Sequence, residues 1–342
     1  TGYLATPATM RNASGAPADL LGSDGMGVSG LSNDRALDNR ASSGMGSADS
    51  GRATIPNRTW FRNLEALTLT GWFKTDGAQS IGNGASLIEQ IDASGGWSLR
   101  ATTTGALSLT INSGSSSRTV TSDAVYSAQD QWVFFAVSFD ARPSSNEVSF
   151  FVGSESTDVT PAGLRSLNLT HSSDAVSADL VIAAGFDGIV DNMRLFSARR
   201  THVYIDDSGN SFTKNGMGQD YAVLTSADLR TIRRYDLGIP LGDLNESRTV
   251  DAADINLLSA NPSNPLFDID GDGDVDQADR DLLIHDILGT RAGDTNLDRR
   301  IDFADLLSLA QGYNLTGLWE TGDFNGDGLV NFGDLLDLAQ NY

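Results

Sequence analysis

The stretch Gln131-Trp-Val-Phe-Phe-Ala-Val-Ser-Phe139 decides the fold of the first two thirds of the chain. Aromatic and β-branched residues are typical of strands, and the run is far shorter than the roughly 20 residues of a membrane helix. Similar runs occupy residues 66–74, 106–111 and 148–152, separated by Gly, Ser, Asn and Asp. No helical period interrupts them between residues 66 and 196. This pattern predicts an all-β, antiparallel sandwich of the jelly-roll type.

Charge and cysteine content divide the chain and limit its partners. Residues 241–342 hold 21 acidic and 5 basic residues, a net charge of −16, whereas residues 1–240 hold 24 and 18, a net of −6. Such acidity repels nucleic acid and anionic membranes, so we expect no nucleic-acid partner, and cations as ligands. The longest apolar runs have the length of strands, so we also expect no membrane span. The chain has no cysteine, so oxygen-ligated ions, and not disulfides, are available to stabilise it.

Two segments of the first region carry a family resemblance. Leu67-Thr-Leu-Thr-Gly-Trp-Phe-Lys-Thr75 and Gly185-Phe-Asp-Gly-Ile-Val-Asp-Asn-Met-Arg-Leu-Phe196 resemble the laminin-G-like, concanavalin A-type jelly roll, and the likeness covers residues 1–235. The resemblance implies a short helix after the last strand, with Thr225 or Ser226 as its cap. Members of the family bind sugars, proteins or matrix components, so the resemblance also implies a possible glycan ligand on the jelly roll.

Hydrolysis of glycans, which some relatives of this sandwich perform, is not expected. The resemblance implies two catalytic carboxylates on one strand in a Glu-x-Asp-x-Glu arrangement, and that pattern is missing. The candidates Glu65, Glu89, Glu147 and Glu155 are scattered, and the three histidines lie far apart along the chain. We therefore predict no catalytic residues and no enzyme.

Tryptophans are the candidate sugar contacts of the sandwich. Trp60 and Trp97 flank turns, where an exposed ring can stack against a pyranose. Trp72 and Trp132 lie inside strand patterns, which favours packing in the core. Trp60 and Trp97 are therefore the better candidates for a glycan platform.

An internal repeat occupies the acidic region. Four copies of an Asp-x-(Asn/Asp)-x-(Asp/Ser) pattern begin at Asp243, Asp268, Asp294 and Asp323, with spacings of 25, 26 and 29 residues. The last two copies align over 21 positions without a gap and agree at 12 of them. Each copy runs into apolar residues at helical spacing, so the pattern predicts loop–helix units and disfavours an acidic disordered tail.

The repeats match twelve-residue calcium loops, in which positions 1, 3, 5, 7, 9 and 12 supply oxygen ligands. In loop one the predicted ligands are Asp243, Asn245, Ser247, the carbonyl of Thr249, Asp251 and Asp254. In loop two they are Asp268, Asp270, Asp272, the carbonyl of Asp274, Asp276 and Asp279. In loop three they are Asp294, Asn296, Asp298, the carbonyl of Arg300, Asp302 and Asp305. In loop four they are Asp323, Asn325, Asp327, the carbonyl of Leu329, Asn331 and Asp334. Calcium is therefore the predicted cofactor.

Two further loop positions carry structural expectations. Position 6 needs a left-handed backbone, which suits Gly273 and Gly328 and costs Arg248 and Arg299 about 1 kcal/mol each. Position 8 is Val or Ile in every loop, and we expect these residues to pair the loops through a short strand contact. They are Val250, Val275, Ile301 and Val330.

A calcium loop followed by one helix, with Asp at position 12, resembles the dockerin module of cellulosome-type assemblies. The likeness covers residues 241–342 and suggests two pairs of repeats, 243–285 and 294–342. It implies a protein partner, because dockerins bind cohesin domains largely through positions 10 and 11, often with hydroxyl groups. Those positions here are Ala252-Ala253, Gln277-Ala278, Phe303-Ala304 and Phe332-Gly333. Phe303 and Phe332 either dock on another surface or pack between the repeats.

These patterns predict a secreted or cell-surface protein with a jelly roll and a small α-helical, EF-hand-like calcium module. Micromolar sites in millimolar extracellular calcium would each add about 4 kcal/mol to folding. In the main hypothesis the jelly roll is a binding head, and the repeats attach it to a protein partner or to further copies of the chain. In the alternative the chain is a self-assembling subunit of an extracellular fibre or surface layer.

Overall fold

A computed structural model describes the two units of the chain. The described residues are 9–11, 19–40, 51–57, 64–76, 85–123, 126, 130–140, 147–167, 169, 176–199, 201–205, 211–215, 224–270 and 274–342. The chain divides into compact units at Thr1–Leu237 and Gly238–Tyr342. Within the described ranges, every helix is too short or too polar to cross a bilayer.

The first unit is built from antiparallel strands. In chain order, β1 to β15 are Thr9–Arg11, Leu37–Asp38, Arg52–Ile55, Leu64–Thr75, Ile88–Asp92, Gly95–Ala101, Leu107–Asn112, Ser117–Thr121, Val133–Asp140, Glu147–Ser154, Thr160–Ser166, Leu180–Ile182, Gly188–Arg199, Thr201–Ile205 and Ser211–Asn215. Seven form one sheet in the order β1-β3-β12-β5-β6-β7-β8, and six form a second in the order β11-β10-β9-β4-β13-β2. β14 and β15 form a separate hairpin. The two sheets confirm the predicted all-β sandwich.

The two sheets share one hydrophobic core. Side chains alternate across a strand, so Leu69 and Phe73 of β4 enter this core together with Phe135 and Val137 of β9. The ring of Phe186 packs edge-on against Phe73, with centroids 6.1 Å apart. Burying a side chain of this size contributes roughly 1.5–3 kcal/mol, so packing alone can hold a sandwich that lacks disulfides.

A helix, α1 (Ser226–Asp236), follows the strands and packs on the second sheet. Thr225 caps it and Asp228 completes a capping box, which confirms the predicted cap. Trp72 is fully buried although it alternates with the core residues of β4, because α1 covers it. The Trp72 indole donates a hydrogen bond of 2.9 Å to the carboxylate of Asp236 at the end of α1.

Two arginines fasten α1 to the sandwich. Asp236 is buried and accepts two hydrogen bonds from the Arg194 guanidinium of β13, at 2.9 and 2.5 Å. Arg233 is fully buried and donates to the carbonyls of Ser154 and Glu155 at 2.8 and 3.0 Å. Charge-assisted bonds at both ends of its last turn therefore hold α1 on the sheet.

The second unit is helical, as its apolar periodicity predicts. Its helices begin at position 10 of the repeats and are α2 (Ala252–Ala260), α3 (Gln277–Asp281), α4 (Phe303–Gly312) and α5 (Phe332–Asn341). α3 continues directly as a π-helical segment, and short 3₁₀ turns precede loops two and four. These pieces are Leu282–Ile287, Pro265–Phe267 and Trp319–Thr321.

A single core joins the four repeats. Ile255 and Leu258 of α2, Leu309 of α4 and Leu338 of α5 belong to one buried cluster that also contains Trp319. The cluster draws on helices from both halves of the unit. The repeats are therefore packed as one body, and the two sequence pairs do not have separate cores.

Trp319 and Arg280 link the repeats through polar contacts. The Trp319 indole donates to the backbone carbonyl of Asp294 at 2.7 Å. Arg280 lies 5.9 Å from the centre of the Trp319 ring and donates to the carbonyl of Phe324 at 2.6 Å. The other repeats have Ile or Leu at the position of Arg280. This departure from the repeat pattern was the sequence signal that Arg280 makes a contact of its own.

Candidate calcium-binding loops

Each loop is organised around two aspartates, at positions 1 and 12. All four at position 12 are buried; they are Asp254, Asp279, Asp305 and Asp334. At position 1 the buried residues are Asp243, Asp294 and Asp323, and Asp268 is half-buried. Two carboxylates therefore form the floor of each loop.

Backbone N–H groups hold these carboxylates in place, as loop four illustrates. Asp334 accepts the N–H of Phe324 with one oxygen and that of Asn331 with the other, both at 2.8 Å. Asp323 accepts the N–H groups of Gly326 and Gly328 at 2.9 and 2.8 Å. The position 12 aspartates of the other loops accept the same pair of bonds. Backbone hydrogen bonds thus fix the orientation of these carboxylates.

The remaining predicted ligands form a rim around this floor. The exposed members of the rim are Asn245, Ser247, Thr249, Asp251, Asp270, Asp274, Asp276, Asn296, Asp298, Arg300, Asp302, Asn325, Asp327 and Leu329, and Asn331 is half-buried. In loop two, carboxylate oxygens of Asp268, Asp270 and Asp279 lie within 4.8 Å of one another. Asp272 and Gly273 lie outside the described residues.

Position 9 has a second role that sequence reasoning missed. Asp251, Asp276, Asp302 and Asn331 are the N-caps of the four helices, and each forms a capping box with the aspartate at position 12. The sequence carries a signal for this role, because positions 9 to 12 read Asp-x-x-Asp or Asn-x-x-Asp before an apolar run, which is typical of the start of a helix. The predicted ligands therefore also fix where each helix begins.

Loops one, three and four, in which the structure describes both positions, use two left-handed residues each, where the sequence predicted one. Position 6 is left-handed as predicted, with φ of 72° at Arg248, 67° at Arg299 and 86° at Gly328. Position 4 is left-handed too, with φ of 58° at Leu297 and 75° at Gly326. Two reversals bring the side chains of positions 1, 3 and 5 to one side of the loop, and the non-glycine residues there are strained.

The predicted strand contact between loops at position 8 is wrong for loop four. Val330 donates its N–H to the carbonyl of Leu315 at 2.9 Å and accepts the N–H of Asn314 at 2.8 Å. In the described chain, no strand bridge joins Val250 to Val275 either. For loop four the reason is the longer spacing before the last repeat, which supplies a segment that pairs with this loop.

The donor set fits a hard divalent cation. Every predicted ligand is an oxygen, as Ca²⁺ requires. Burial raises the pKa of Asp323; the N–H groups of Gly328 and Gly326 oppose the shift, and the carboxylates of Asp334 and Asp327 add to it. A bound cation would offset both the burial and the repulsion, which buried carboxylates otherwise relieve by taking up protons.

Helices α4 and α5 expose matching apolar side chains. Phe303 and Leu307 are 67% and 45% exposed, and Phe332 and Leu336 are 67% and 47% exposed. Residues i and i+4 share one face of a helix, so each helix presents a Phe–Leu pair. The alternative in which Phe303 and Phe332 pack between the repeats is therefore wrong. We call these four side chains the apolar patch.

The tryptophans of the sandwich are mostly buried. Trp72 and Trp132 pack inside, as the strand patterns indicated. Trp97 is 1% exposed within β6, so its assignment as a sugar platform is wrong: the turn it follows places the ring on the core face. Trp60 lies outside the described residues.

The carboxylates of the sandwich are dispersed. Glu89 faces Arg100 at 3.8 Å. Glu147 is exposed at the start of β10, and Glu155 is exposed just after its end. The Glu65 side chain lies outside the described residues. Among the described glutamates, none is paired with another as the hydrolytic arrangement requires.

A comparison with known protein families gives a match within the sandwich. Residues 46–205 match a family model described as the concanavalin A-like lectin/glucanases superfamily, of the laminin-G type. This stretch is a concanavalin A-like jelly roll. The match confirms the resemblance expected from residues 67–75 and 185–196. No curated protein matches the chain in sequence.

Solved structures similar to parts of this chain come from varied proteins. A SAP-like pentraxin from Limulus polyphemus is 13% identical, with a TM-score of 0.28, over 39% of this chain and 64% of the pentraxin. The binding domain of botulinum neurotoxin serotype D is 12% identical, with a TM-score of 0.37, over 57% of this chain and 44% of that one. The CBM40 module of Ruminococcus gnavus IT-sialidase, bound to α2,3-sialyllactose, is 14% identical, with a TM-score of 0.31, over 39% and 75%. The chain thus spans less than two thirds of the pentraxin and of the toxin domain.

Proposed function

We propose that this is an extracellular, calcium-dependent binding protein. The jelly roll is the binding head, and the calcium-loaded repeats attach it to a protein partner. The observation that carries the proposal is the pair of aspartates at positions 1 and 12 of the loops. Both are buried in loops one, three and four, and in loop two Asp279 is buried and Asp268 half-buried. Backbone N–H groups bind these carboxylates under a rim of oxygen donors. The concanavalin A-like jelly roll supports a glycan as the ligand of the head.

Calcium supplies the stability that the repeats otherwise lack. The region from residue 241 onwards carries a net charge of −16, which four divalent ions would reduce to −8. Extracellular calcium is millimolar, so micromolar sites would be filled there, and each would contribute about 4 kcal/mol. Cytosolic calcium is too dilute to fill such sites, and this supports a location outside the cell or on its surface.

Calcium titration of the full chain tests the proposal. We expect three or four ions by calorimetry, because four loops share one sequence pattern of oxygen ligands. Asp334→Asn removes a floor carboxylate of loop four and should reduce the stoichiometry by one. Asp281→Asn removes an exposed carboxylate outside the loops and serves as the matched control. An absence of calcium uptake by the folded chain would refute the proposal.

A second candidate function, self-assembly into a fibre or surface layer, is favoured by the apolar patch. Apolar side chains exposed on adjacent helices mark interaction surfaces. Light scattering on the titrated samples separates the candidates. Growth of particles on adding calcium, abolished by Phe303→Ser together with Phe332→Ser, would support assembly. A calcium-loaded chain that stays monomeric would support a head that awaits a foreign partner.

A further inference from the structure

A cavity of about 800 Å³ opens in the second unit. It lies between the π-helical segment, residues 288–292, loop three and the end of α5. Its lining includes His285, Thr290, Arg291, Arg299, Ile301 and Asn341. The volume is that of a site for a small organic ligand.

The charge of the cavity is opposite to that of its surroundings. Residues 241–342 contain five basic residues and a single histidine, and two of the arginines and this histidine line the cavity. None of its lining residues is Asp or Glu, although the region contains 21 of them. An anion that avoids the calcium loops would therefore be attracted here.

The arginines have donors to spare. Arg299 donates its Nε–H to the carbonyl of Leu288 at 3.2 Å, and its backbone N–H to Asp294 at 2.7 Å. These bonds fix the stem of Arg299 and leave the terminal nitrogens of the guanidinium to point elsewhere. In the part of the chain that the structure describes, neither Arg291 nor Arg299 forms an ion pair. A guanidinium in this state can take a carboxylate through two parallel bonds.

Asn341 provides the opposite kind of group. Its side-chain nitrogen donates to the carbonyls of Ala292 and Asp337, both at 2.9 Å. This orients the side-chain oxygen of Asn341 as an acceptor, which suits a hydroxyl group. Ile301 adds an apolar surface to the same cavity. Cationic donors, one amide acceptor and an apolar wall together match a ligand with a carboxylate, hydroxyls and a carbon face.

We propose that this cavity binds an acidic sugar unit. Arg291 and Arg299 bind its carboxylate, Asn341 accepts a hydrogen bond from a hydroxyl, and Ile301 contacts the ring. All of its lining residues belong to the second unit, and it uses none of the oxygens assigned to calcium. It gives the second unit a ligand of its own, whichever partner the apolar patch takes.

Binding of D-glucuronate to the full chain, at saturating calcium, tests this proposal by calorimetry. Arg291→Gln removes one guanidinium from an exposed position and should weaken glucuronate binding by on the order of tenfold or more. Arg248→Gln removes the same charge from an exposed residue of the same region, outside the cavity and not among the assigned calcium ligands, and should leave glucuronate binding unchanged. Calcium stoichiometry, measured in parallel, should be the same for both variants, so a failure here is distinct from a failure of the calcium loops.

Several results would overturn the proposal. One is an absence of glucuronate binding by the calcium-loaded chain, and another is equal binding by the Arg291→Gln variant. Acetate that binds as well as glucuronate would remove the role of the hydroxyl and ring contacts. A tetra-glutamate peptide that binds more tightly than glucuronate would assign the cavity to acidic peptides. A lower melting temperature of Arg291→Gln, with glucuronate binding unchanged, would mean that Arg291 only stabilises the fold.

Discussion

At the scale of single residues, the loops depend on backbone conformations that few side chains tolerate. Arg248, Arg299 and Leu297 are left-handed where loop four has glycine. A β-carbon in this conformation costs about 1–2 kcal/mol, and a glycine avoids that cost. Loops one and three therefore start from a higher energy than loop four.

Replacing Arg248 by glycine should stabilise the second unit. We expect a gain of about 0.5–1 kcal/mol in the free energy of unfolding, because relief of strain exceeds the added freedom of the unfolded chain. Denaturant unfolding in saturating calcium measures it. Arg300→Gly deletes the same side chain at a residue without a positive φ, and this control should lose stability. A gain in both variants would show that lost charge, and not backbone strain, is responsible.

Acidification should weaken calcium binding at loop four at a higher pH than at a site whose carboxylates have ordinary pKa values. The pKa of Asp323 is raised by burial and by neighbouring carboxylates, so protons compete with calcium at a higher pH than they would for a group of pKa 3.8. In the calcium-free protein, acid has the opposite effect and increases the stability of the fold. Protonation of Asp323 favours the folded form, and this contribution is lost as the pH rises through the raised pKa.

Calcium titrations from about pH 7 down to about pH 4 check this prediction. The variant Asp323→Asn cannot take up that proton, so its calcium-free stability should depend less on pH in this range. Calcium affinity of loop four that stays constant down to about pH 4 would contradict it.

At the scale of elements, α1 belongs to the jelly roll through its polar end. Asp236 accepts three hydrogen bonds from Trp72 and Arg194 while buried. Burial raises the pKa of Asp236, and the bonds from Arg194 and Trp72 oppose the shift. The carboxylate of Asp236 thus holds α1 on the sheet. Its removal would leave the Trp72 indole N–H and the Arg194 guanidinium without this acceptor.

Replacing Asp236 by alanine should destabilise the first unit by about 2–4 kcal/mol. The loss reflects the stranded indole N–H and guanidinium, and it should appear in thermal unfolding as a lower transition for the jelly roll. Tyr235→Ser, at a neighbouring residue that is 78% exposed, is the control and should change stability little. A loss of stability in the control equal to that of Asp236→Ala would show that helix propensity, not the contact, is responsible.

The sequence predicted elements better than the contacts between them. Strands at residues 66–74 and 106–111 and the cap at Thr225 follow from local alternation and side-chain chemistry, and the structure has them within a few residues. Trp97 was misjudged because proximity to a turn does not reveal which face of β6 the ring occupies. The pairing of Val330 was missed because it involves a segment outside the repeat. Calcium binding by the loops stays a prediction, since the ligands are assigned from the sequence pattern of the repeats.

At the scale of the whole molecule, the two units draw on different sources of stability. The jelly roll has a large aromatic core and a net charge near that of an ordinary domain. The helical unit has a smaller core around Trp319 and concentrates most of the negative charge. Removing calcium should therefore affect one unit and spare the other.

Scanning calorimetry of the full chain should show two transitions. With calcium the helical unit should melt more than about 10 °C higher than with a chelator, because several ions each contribute a few kcal/mol. The transition of the jelly roll should shift little, which makes it an internal control. Coincident shifts of both transitions would contradict the assignment of calcium to the second unit.

The fastening of α1 has a mechanical consequence. The chain leaves this helix at Leu237 and passes directly into the second unit at Gly238. A pulling force between the ends of a tethered protein must therefore pass through the last turn of α1. From the C-terminal side it meets the Arg194–Asp236 and Arg233–Ser154 bonds before it reaches a strand. These bonds resist the peeling of α1, so on that side they delay the loading of the strands that precede the helix.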